Sequence, residues 1–153
     1  MSYSFRLASR QDIAAVLVNE TTAYEMPWGK QALIDSLNEQ YQFWVIESRR
    51  EQKIIGHLIY QVILDESHLL NICVHPREQG KGLGKATMDF WVQQCLIAGC
   101  KELWLEVRSS NTVAQKMYQS LNFKAISTRK NYYPLPGNLR EDGLIMSRNL
   151  PES

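Results

Sequence analysis

The sequence predicts an α+β domain with a mixed, largely antiparallel central sheet of about seven strands and about four helices. Residues 42–74 are rich in β-branched and aromatic side chains, with only short charged breaks, which is typical of successive antiparallel strands. The spacing of apolar residues then becomes helical from residue 83, and a further strand follows that helix, so one strand–helix–strand crossover is expected. No linker or repeat divides the chain, which predicts a single domain over residues 1–153.

The N-terminal region is expected to form a short strand near residues 3–7 and then two helices. Ser9 with Asp12 three residues later resembles a capping box and predicts the start of the first helix. We expect the Pro27-Trp28 pair to end that helix, and a second short helix to carry Leu33.

The middle of the chain predicts three strands over residues 42–48, 53–64 and 68–74, followed by a helix that begins at Leu83 and ends at Gly99. Four residues at i, i+3, i+4 and i+7 form the expected apolar face of this helix: Met88, Trp91, Val92 and Cys95.

The C-terminal third predicts a strand over residues 101–108, a helix over 111–120 and two strands near 123–129 and 143–148. The alternation of the first of these strands places Glu106 on the face opposite its apolar residues. The apolar side of the helix is expected to comprise Val113, Met117 and Leu121.

Composition excludes several classes of function. Lys and Arg total 17 against 16 Asp and Glu, so no overall field attracts nucleic acid or an anionic membrane. Cys73, Cys95 and Cys100 show no metal-ligand spacing and indicate buried thiols of a reducing compartment. No apolar run approaches the roughly 20 residues that span a bilayer. We therefore expect a cytoplasmic monomer that binds no metal, nucleic acid or membrane.

Three alternating glycines, Gly80, Gly82 and Gly84, stand between a predicted strand and a predicted helix. Glycine lets backbone amides approach a ligand closely, and a helix N-terminus adds partial positive charge. With Lys81 and Lys85 beside them, these residues predict a pyrophosphate-binding loop. The alternative is a flexible turn with two solvated lysines.

Two common phosphate-binding motifs do not match this loop. A Walker A motif requires Ser or Thr after Gly84-Lys85, where Ala86 stands. A dinucleotide fingerprint requires glycine at position 85.

The pattern Gln/Arg-x-x-Gly-x-Gly/Ala does match, through Gln79, Gly82 and Gly84 after the strand over residues 71–76. In this the chain resembles the GNAT superfamily of acetyltransferases, and the order of predicted elements is similar as well. The resemblance implies the GNAT fold and acetyl-coenzyme A as co-substrate. It also implies the residues that contact it: Ile72, Cys73, Val74, Gln79, Gly80, Lys81, Gly82, Leu83, Gly84, Lys85 and Asn111.

Acetyl transfer to an amine requires a base that removes the ammonium proton, and it benefits from an acid that protonates the departing thiolate. Glu106 is the candidate base, the alternative being a surface carboxylate paired with Arg108. Tyr118 is the candidate acid, the alternative being a core tyrosine. Asn111 precedes the same helix, and a role as its N-cap would also explain it.

The resemblance is closest to the bacterial RimI group, enzymes that acetylate the N-terminal alanine of a small-subunit ribosomal protein. It is carried by residues 103–108, by Tyr118 and by the blocks at 26–28 and 129–134. By this resemblance Glu106 is the general base, Tyr118 the general acid, and the N-terminal segment of a ribosomal protein the acceptor. Asn122 stands where the group usually has glycine, which should cost little because Asn is the next-best residue for a left-handed helix end. Residues 135–139 differ from the group beside the expected acceptor cleft, which leaves the acceptor open.

Tyr132 and Tyr133 form one wall of the acceptor groove on this reading, and Met26 and Trp28 form the opposite wall. The alternative for both pairs is ordinary packing. Two other functions stay open at this point: a GNAT enzyme that acetylates a small-molecule amine or a protein lysine, and a module that binds acetyl-coenzyme A without catalysis.

Overall fold

The computed structural model describes residues 2–151, which form one seven-stranded sheet in the order β1-β2-β3-β4-β5-β7-β6. The predicted α+β class, element order and crossover are confirmed. The strands are β1 (Tyr3–Leu7), β2 (Gln42–Ser48), β3 (Lys53–Ile63), β4 (Glu66–Val74), β5 (Glu102–Arg108), β6 (Lys124–Pro134) and β7 (Arg140–Asn149). The helices are α1 (Ile13–Ala23), α2 (Lys30–Asp35), α3 (Leu83–Ile97) and α4 (Thr112–Ser120).

The sheet divides where β4 meets β5, its one parallel pair among the described residues. These two strands are in register only from Glu66↔Glu102 to His68↔Trp104, at the start of each strand. Beyond His68, β4 continues without a partner on that side as far as Val74. The strands therefore leave a wedge-shaped gap at the carboxyl end of both.

Two hydrophobic clusters hold the helices to opposite faces of the sheet. The predicted face of α3 is buried, with Trp91 packed near Leu103 and Met146 of the sheet. On the other face α1 and α2 bury a smaller cluster that includes Val16 and Leu33. Burying each such large apolar side chain contributes about 1.5–3 kcal/mol, so both faces contribute to stability. Within residues 2–151, no helix is both long enough and apolar enough to cross a membrane.

The first helix begins and ends differently from the prediction. A 3-10 turn over Arg10–Asp12 precedes α1, and the Ser9 amide donates to the Asp12 carboxylate at 2.7 Å, as the capping pattern predicted. The helix ends at Ala23, before Pro27, because Tyr24 already has extended backbone angles (φ −123°, ψ 139°). The prediction that the Pro27-Trp28 pair ends it is therefore wrong.

The C-terminal elements differ in two places. Val113 is 81% exposed, so its assignment to the apolar side of α4 is wrong, whereas Leu121 is buried. Strand β6 runs to Pro134 and not only to Arg129. A shift of register follows Arg129, and Asn131 takes a left-handed conformation (φ 53°), which lets the strand resume after an irregular step.

Candidate active site

The gap between β4 and β5 holds a cleft of about 200 Å³ that brings the two predicted catalytic residues together. Glu106 and Tyr118 both line it, and Asn111 lies beside them. The cleft adjoins a wider groove of about 720 Å³ over the exposed face of β5–β7, and Glu106 and Trp28 line both.

Glu106 lies in the middle of β5, and its side chain is 27% exposed. Its carboxylate is 3.4 Å from the Arg129 guanidinium, which lies 5.0 Å from the centre of the Tyr132 ring. Arg108 pairs instead with Glu141 at 3.0 Å. The alternative in which Glu106 pairs with Arg108 is therefore wrong, and the Glu106 carboxylate faces the cleft with one cation near it.

Tyr118 lies on α4, lines the cleft and is 6% exposed. Its ring packs edge-on against Phe123 with centroids 6.3 Å apart. Burial raises the pKa of Tyr118 to about 12. The phenol is therefore protonated at any physiological pH, which is the state that a general acid requires.

The glycine loop opens into α3 with two left-handed residues, Gly80 (φ 78°) and Gly82 (φ 85°). An L side chain is strained at both positions, so the sequence needs glycine there. A Cβ added to Gly84 would lie 3.6 Å from the Met117 sulfur, so α3 and α4 approach closely at this point. The first turn of α3 directs amides without helical partners toward solvent, a donor set that suits a pyrophosphate.

The other predicted cofactor residues also have local structural contacts. Gln79 donates from Nε2 to the Val74 carbonyl at 3.2 Å, and Lys81 lies 3.5 Å from Glu78. Asn111 caps α4, because its Oδ1 accepts from the Ala114 amide at 3.1 Å.

The open edge of β4 presents backbone groups to the gap. The carbonyls of Ile72 and Val74 accept from the Tyr24 hydroxyl and the Gln79 amide, so they point away from β3. A residue's N–H and C=O point to the same side of a strand, so the amides of Ile72 and Val74 face the gap as well. The backbone groups of Cys73 point the other way, toward β3. Burial raises the pKa of its thiol to about 12, so the thiol is neutral.

The residues predicted to form the acceptor walls line the groove or the adjoining cleft. Tyr132 and Tyr133 pack edge-on with ring centres 5.0 Å apart, and the Arg108 guanidinium lies 4.4 Å above the Tyr133 ring. Trp28 lines both the groove and the cleft, and Met26 lines the cleft. The two tyrosines therefore pack against each other and, like Trp28, line the open groove.

A buried polar network beneath the cleft, centred on Glu20, has no counterpart among the predictions made from the sequence. This carboxylate is 1% exposed and accepts from the Trp28 amide at 2.9 Å, from His57 Nε2 at 3.1 Å and from Asn71 Nδ2 at 3.1 Å. Burial alone would raise the pKa of Glu20, but these hydrogen bonds hold it below its ordinary value. Glu20 follows Val16 by one helical turn, so it is a charged residue on the apolar stripe of α1. That position is the sequence feature that could have indicated a buried carboxylate.

The family follows from comparison with known proteins. Residues 13–123 match the model of the Acetyltransferase (GNAT) family. The chain belongs to the GNAT family. It is an acetyl-coenzyme A-dependent N-acetyltransferase, as the sequence predicted. This GNAT chain is 38% identical over 137 residues to the [ribosomal protein bS18]-alanine N-acetyltransferase of Haemophilus ducreyi, covering 90% of the chain and 93% of that relative.

Two further matches to the GNAT chain involve Escherichia coli. The [ribosomal protein bS18]-alanine N-acetyltransferase of strain K12 is 36% identical over 136 residues, covering 89% of the chain and 90% of the relative. The crystal structure of the ribosomal-protein-S18-alanine N-acetyltransferase from Escherichia coli superposes with a TM-score of 0.91 at 32% identity, covering 99% of the chain and 96% of that structure.

Proposed function

We propose that this enzyme transfers the acetyl group of acetyl-coenzyme A to the α-amine of an N-terminal alanine, and that the acceptor is ribosomal protein bS18. The observation that carries the proposal is the 36–38% identity, over about 90% of the chain, to relatives named for that acceptor. The cleft supports it, because a carboxylate and a protonated tyrosine both line it beside an open groove of about 720 Å³.

Glu106 acts as the general base in this proposal. An α-amino group has a pKa of about 7.7–8.0, against about 10.4 for a lysine side chain. An α-ammonium group can therefore be deprotonated by a weaker base than a lysine side chain requires, and a carboxylate acting directly or through a water is adequate. The position of Glu106 at the junction of cleft and groove suits an amine that enters along the groove.

Tyr118 acts as the general acid and protonates the departing thiolate. Bound acetyl-coenzyme A supplies the thioester, whose acetyl group is activated toward an amine. In this proposal the amides of Ile72 and Val74, which face the gap, hold the donor along β4. The amides from Gly80 to Lys85 hold its pyrophosphate, and Asn111 contacts it from the start of α4.

We also propose that residues 1–153 form a single catalytic domain that acts as a monomer without nucleic acid. Because its proposed acceptor is a ribosomal protein, we place the enzyme in the cytoplasm.

The acceptor is tested by competition among four amines in one reaction with acetyl-coenzyme A: an alanine-starting bS18 peptide, the same peptide with serine first, an N-terminally blocked peptide with an internal lysine, and spermidine. Tandem mass spectrometry locates the acetyl group. We expect the alanine α-amine to be acetylated with the highest kcat/KM. Preferred acetylation of spermidine or lysine would contradict the proposal, and binding of acetyl-coenzyme A without turnover on any amine would indicate a non-catalytic module.

A further inference from the structure

A β-bulge in β4 turns Asn71 toward the cleft. Asn71 pairs with Ile59 of β3 and Leu69 pairs with Tyr60, so Leu70 between them has no partner in the register. Because side chains alternate along a strand, this extra residue moves Asn71 to the sheet face that carries α1. Asn71 is 7% exposed and lines the cleft together with Glu106.

The orientation of the Asn71 amide is fixed by its neighbour. Its Nδ2 donates to the Glu20 carboxylate at 3.1 Å, and a carboxylate that is ionised only accepts hydrogen bonds. The amide therefore cannot be reversed, and Oδ1 must point away from Glu20. Among the described residues this oxygen is buried and receives no hydrogen bond.

A buried acceptor without a donor costs about 1–3 kcal/mol, and a donor on a ligand bound in this cleft would remove that cost. Two other polar groups of the cleft have separate tasks: the Tyr24 hydroxyl donates to the Ile72 carbonyl, and Tyr118 faces the thiolate in the proposed reaction. An alkylammonium brings three N–H donors that point in different directions, so one carboxylate on one side of it cannot accept from all three.

We propose that Asn71 binds the acceptor's α-ammonium group, with Oδ1 accepting one of its N–H bonds while Glu106 takes the proton that is removed. This inference rests on the proposed function. Glu20 is a positioning residue in it: its carboxylate fixes the direction of the Asn71 amide and adds negative charge behind the site. The same carboxylate holds the Trp28 amide, so one buried group supports both the amine site and a wall of the groove.

The test compares Asn71→Leu with Asn19→Leu. Asn19 is a matched control, because it is a buried amide of the same region, 3% exposed, that donates to the Ile54 carbonyl outside the cleft. Both variants should lose similar stability in chemical unfolding. Only Asn71→Leu should raise KM for the alanine-starting peptide, by about tenfold or more, with kcat changed less and KM for acetyl-coenzyme A unchanged.

A second measurement isolates the amine itself. The coenzyme A-bound enzyme is titrated with the alanine-starting peptide and with its des-amino analogue, in which propionyl replaces alanine. Wild type should prefer the amine, and Asn71→Leu should lose that preference while retaining its affinity for the analogue. Asn71→Ala serves the same purpose if leucine is too large for the fold. An unchanged preference in either folded variant would overturn the role of Asn71.

The wild-type reaction separates the two proposals. If wild type does not acetylate the peptide at its α-amine, the proposed function fails and the inference fails with it. If wild type does so and the Asn71 variants keep both KM and preference, only the inference fails.

Discussion

Replacing Tyr118 by phenylalanine should slow the chemical step without weakening the fold. The change removes one hydroxyl and keeps the ring that packs against Phe123. General acid catalysis contributes typically 10²–10⁴-fold, which corresponds to about 3–5 kcal/mol of activation free energy. We therefore expect kcat to fall by that factor, with KM for acetyl-coenzyme A within about twofold of wild type.

The assay for Tyr118→Phe is a single-turnover experiment, because it reports the chemical step even where product release limits kcat. Free thiol is followed with a chromogenic disulfide on rapidly quenched samples. Tyr60→Phe is the matched control: this core tyrosine is 3% exposed, and burial likewise raises its pKa to about 12. It should lose a buried hydroxyl and keep its single-turnover rate.

The pH dependence adds a second criterion for Tyr118. Since its pKa is raised to about 12, wild type keeps the proton on this residue throughout the range below pH 10. The ratio of wild-type to Tyr118→Phe rates should then be constant from pH 7 to pH 9.5. A single-turnover rate equal to wild type would refute the reasoning and remove Tyr118 from the mechanism.

Three further predictions concern the loop, acid stability and the core. Gly82→Ala places a side chain on a residue with φ 85°, which should cost about 1–2 kcal/mol of stability in urea unfolding and raise KM for acetyl-coenzyme A. Gly99→Ala, at φ 81° outside the loop, should lose a similar amount of stability and leave that KM unchanged. Hydrogen bonds from Arg6 lower the pKa of Asp12 in the native state. The ionised carboxylate therefore stabilises the fold fully above the unfolded-state pKa of about 4, and this stabilisation is lost as pH falls through the lower native pKa. The difference in free energy of unfolding between wild type and Asp12→Asn should narrow from about pH 5 to about pH 2. Leu103→Ala empties a fully buried position and should lower the free energy of unfolding by about 2–5 kcal/mol, measured by denaturant titration, and a loss below 1 kcal/mol would contradict the packing described.

The elements that the sequence predicts well are those with a strong local period. Strand β2 matches its predicted bounds, and Trp91 with the rest of the α3 stripe is buried as its spacing requires. The strand–helix–strand crossover follows from element order, and Glu106 and Tyr118 lie on its second strand, β5, and on α4, the next helix along the chain. Their meeting in one cleft is therefore predictable from the order of elements along the chain.

What could not be predicted depends on contacts between distant segments. Asn71 reaches the cleft only because Leu70 is bulged out of register, and nothing in the local pattern of β4 marks that step. Two of the three partners of Glu20, His57 and Asn71, lie 37 and 51 residues away, so the local sequence does not predict its burial. Val113 illustrates the opposite limit: this apolar side chain lies in the first turn of α4 and is 81% exposed, because no element within residues 2–151 covers it.

The proposed reaction is tested most directly by mass spectrometry of a bS18 N-terminal peptide incubated with acetyl-coenzyme A and either wild type, Glu106→Gln or Glu102→Gln. A glutamine keeps the shape of Glu106 but cannot accept the ammonium proton. Glu102 is the control on the same strand, where its carboxylate accepts from Trp104 Nε1 at 3.2 Å. We expect one acetyl group on the alanine α-amine with wild type and Glu102→Gln, and a rate at least about a hundredfold lower with Glu106→Gln at unchanged affinity for acetyl-coenzyme A. Full activity of Glu106→Gln, or no α-amine acetylation by wild type, would contradict the proposed reaction.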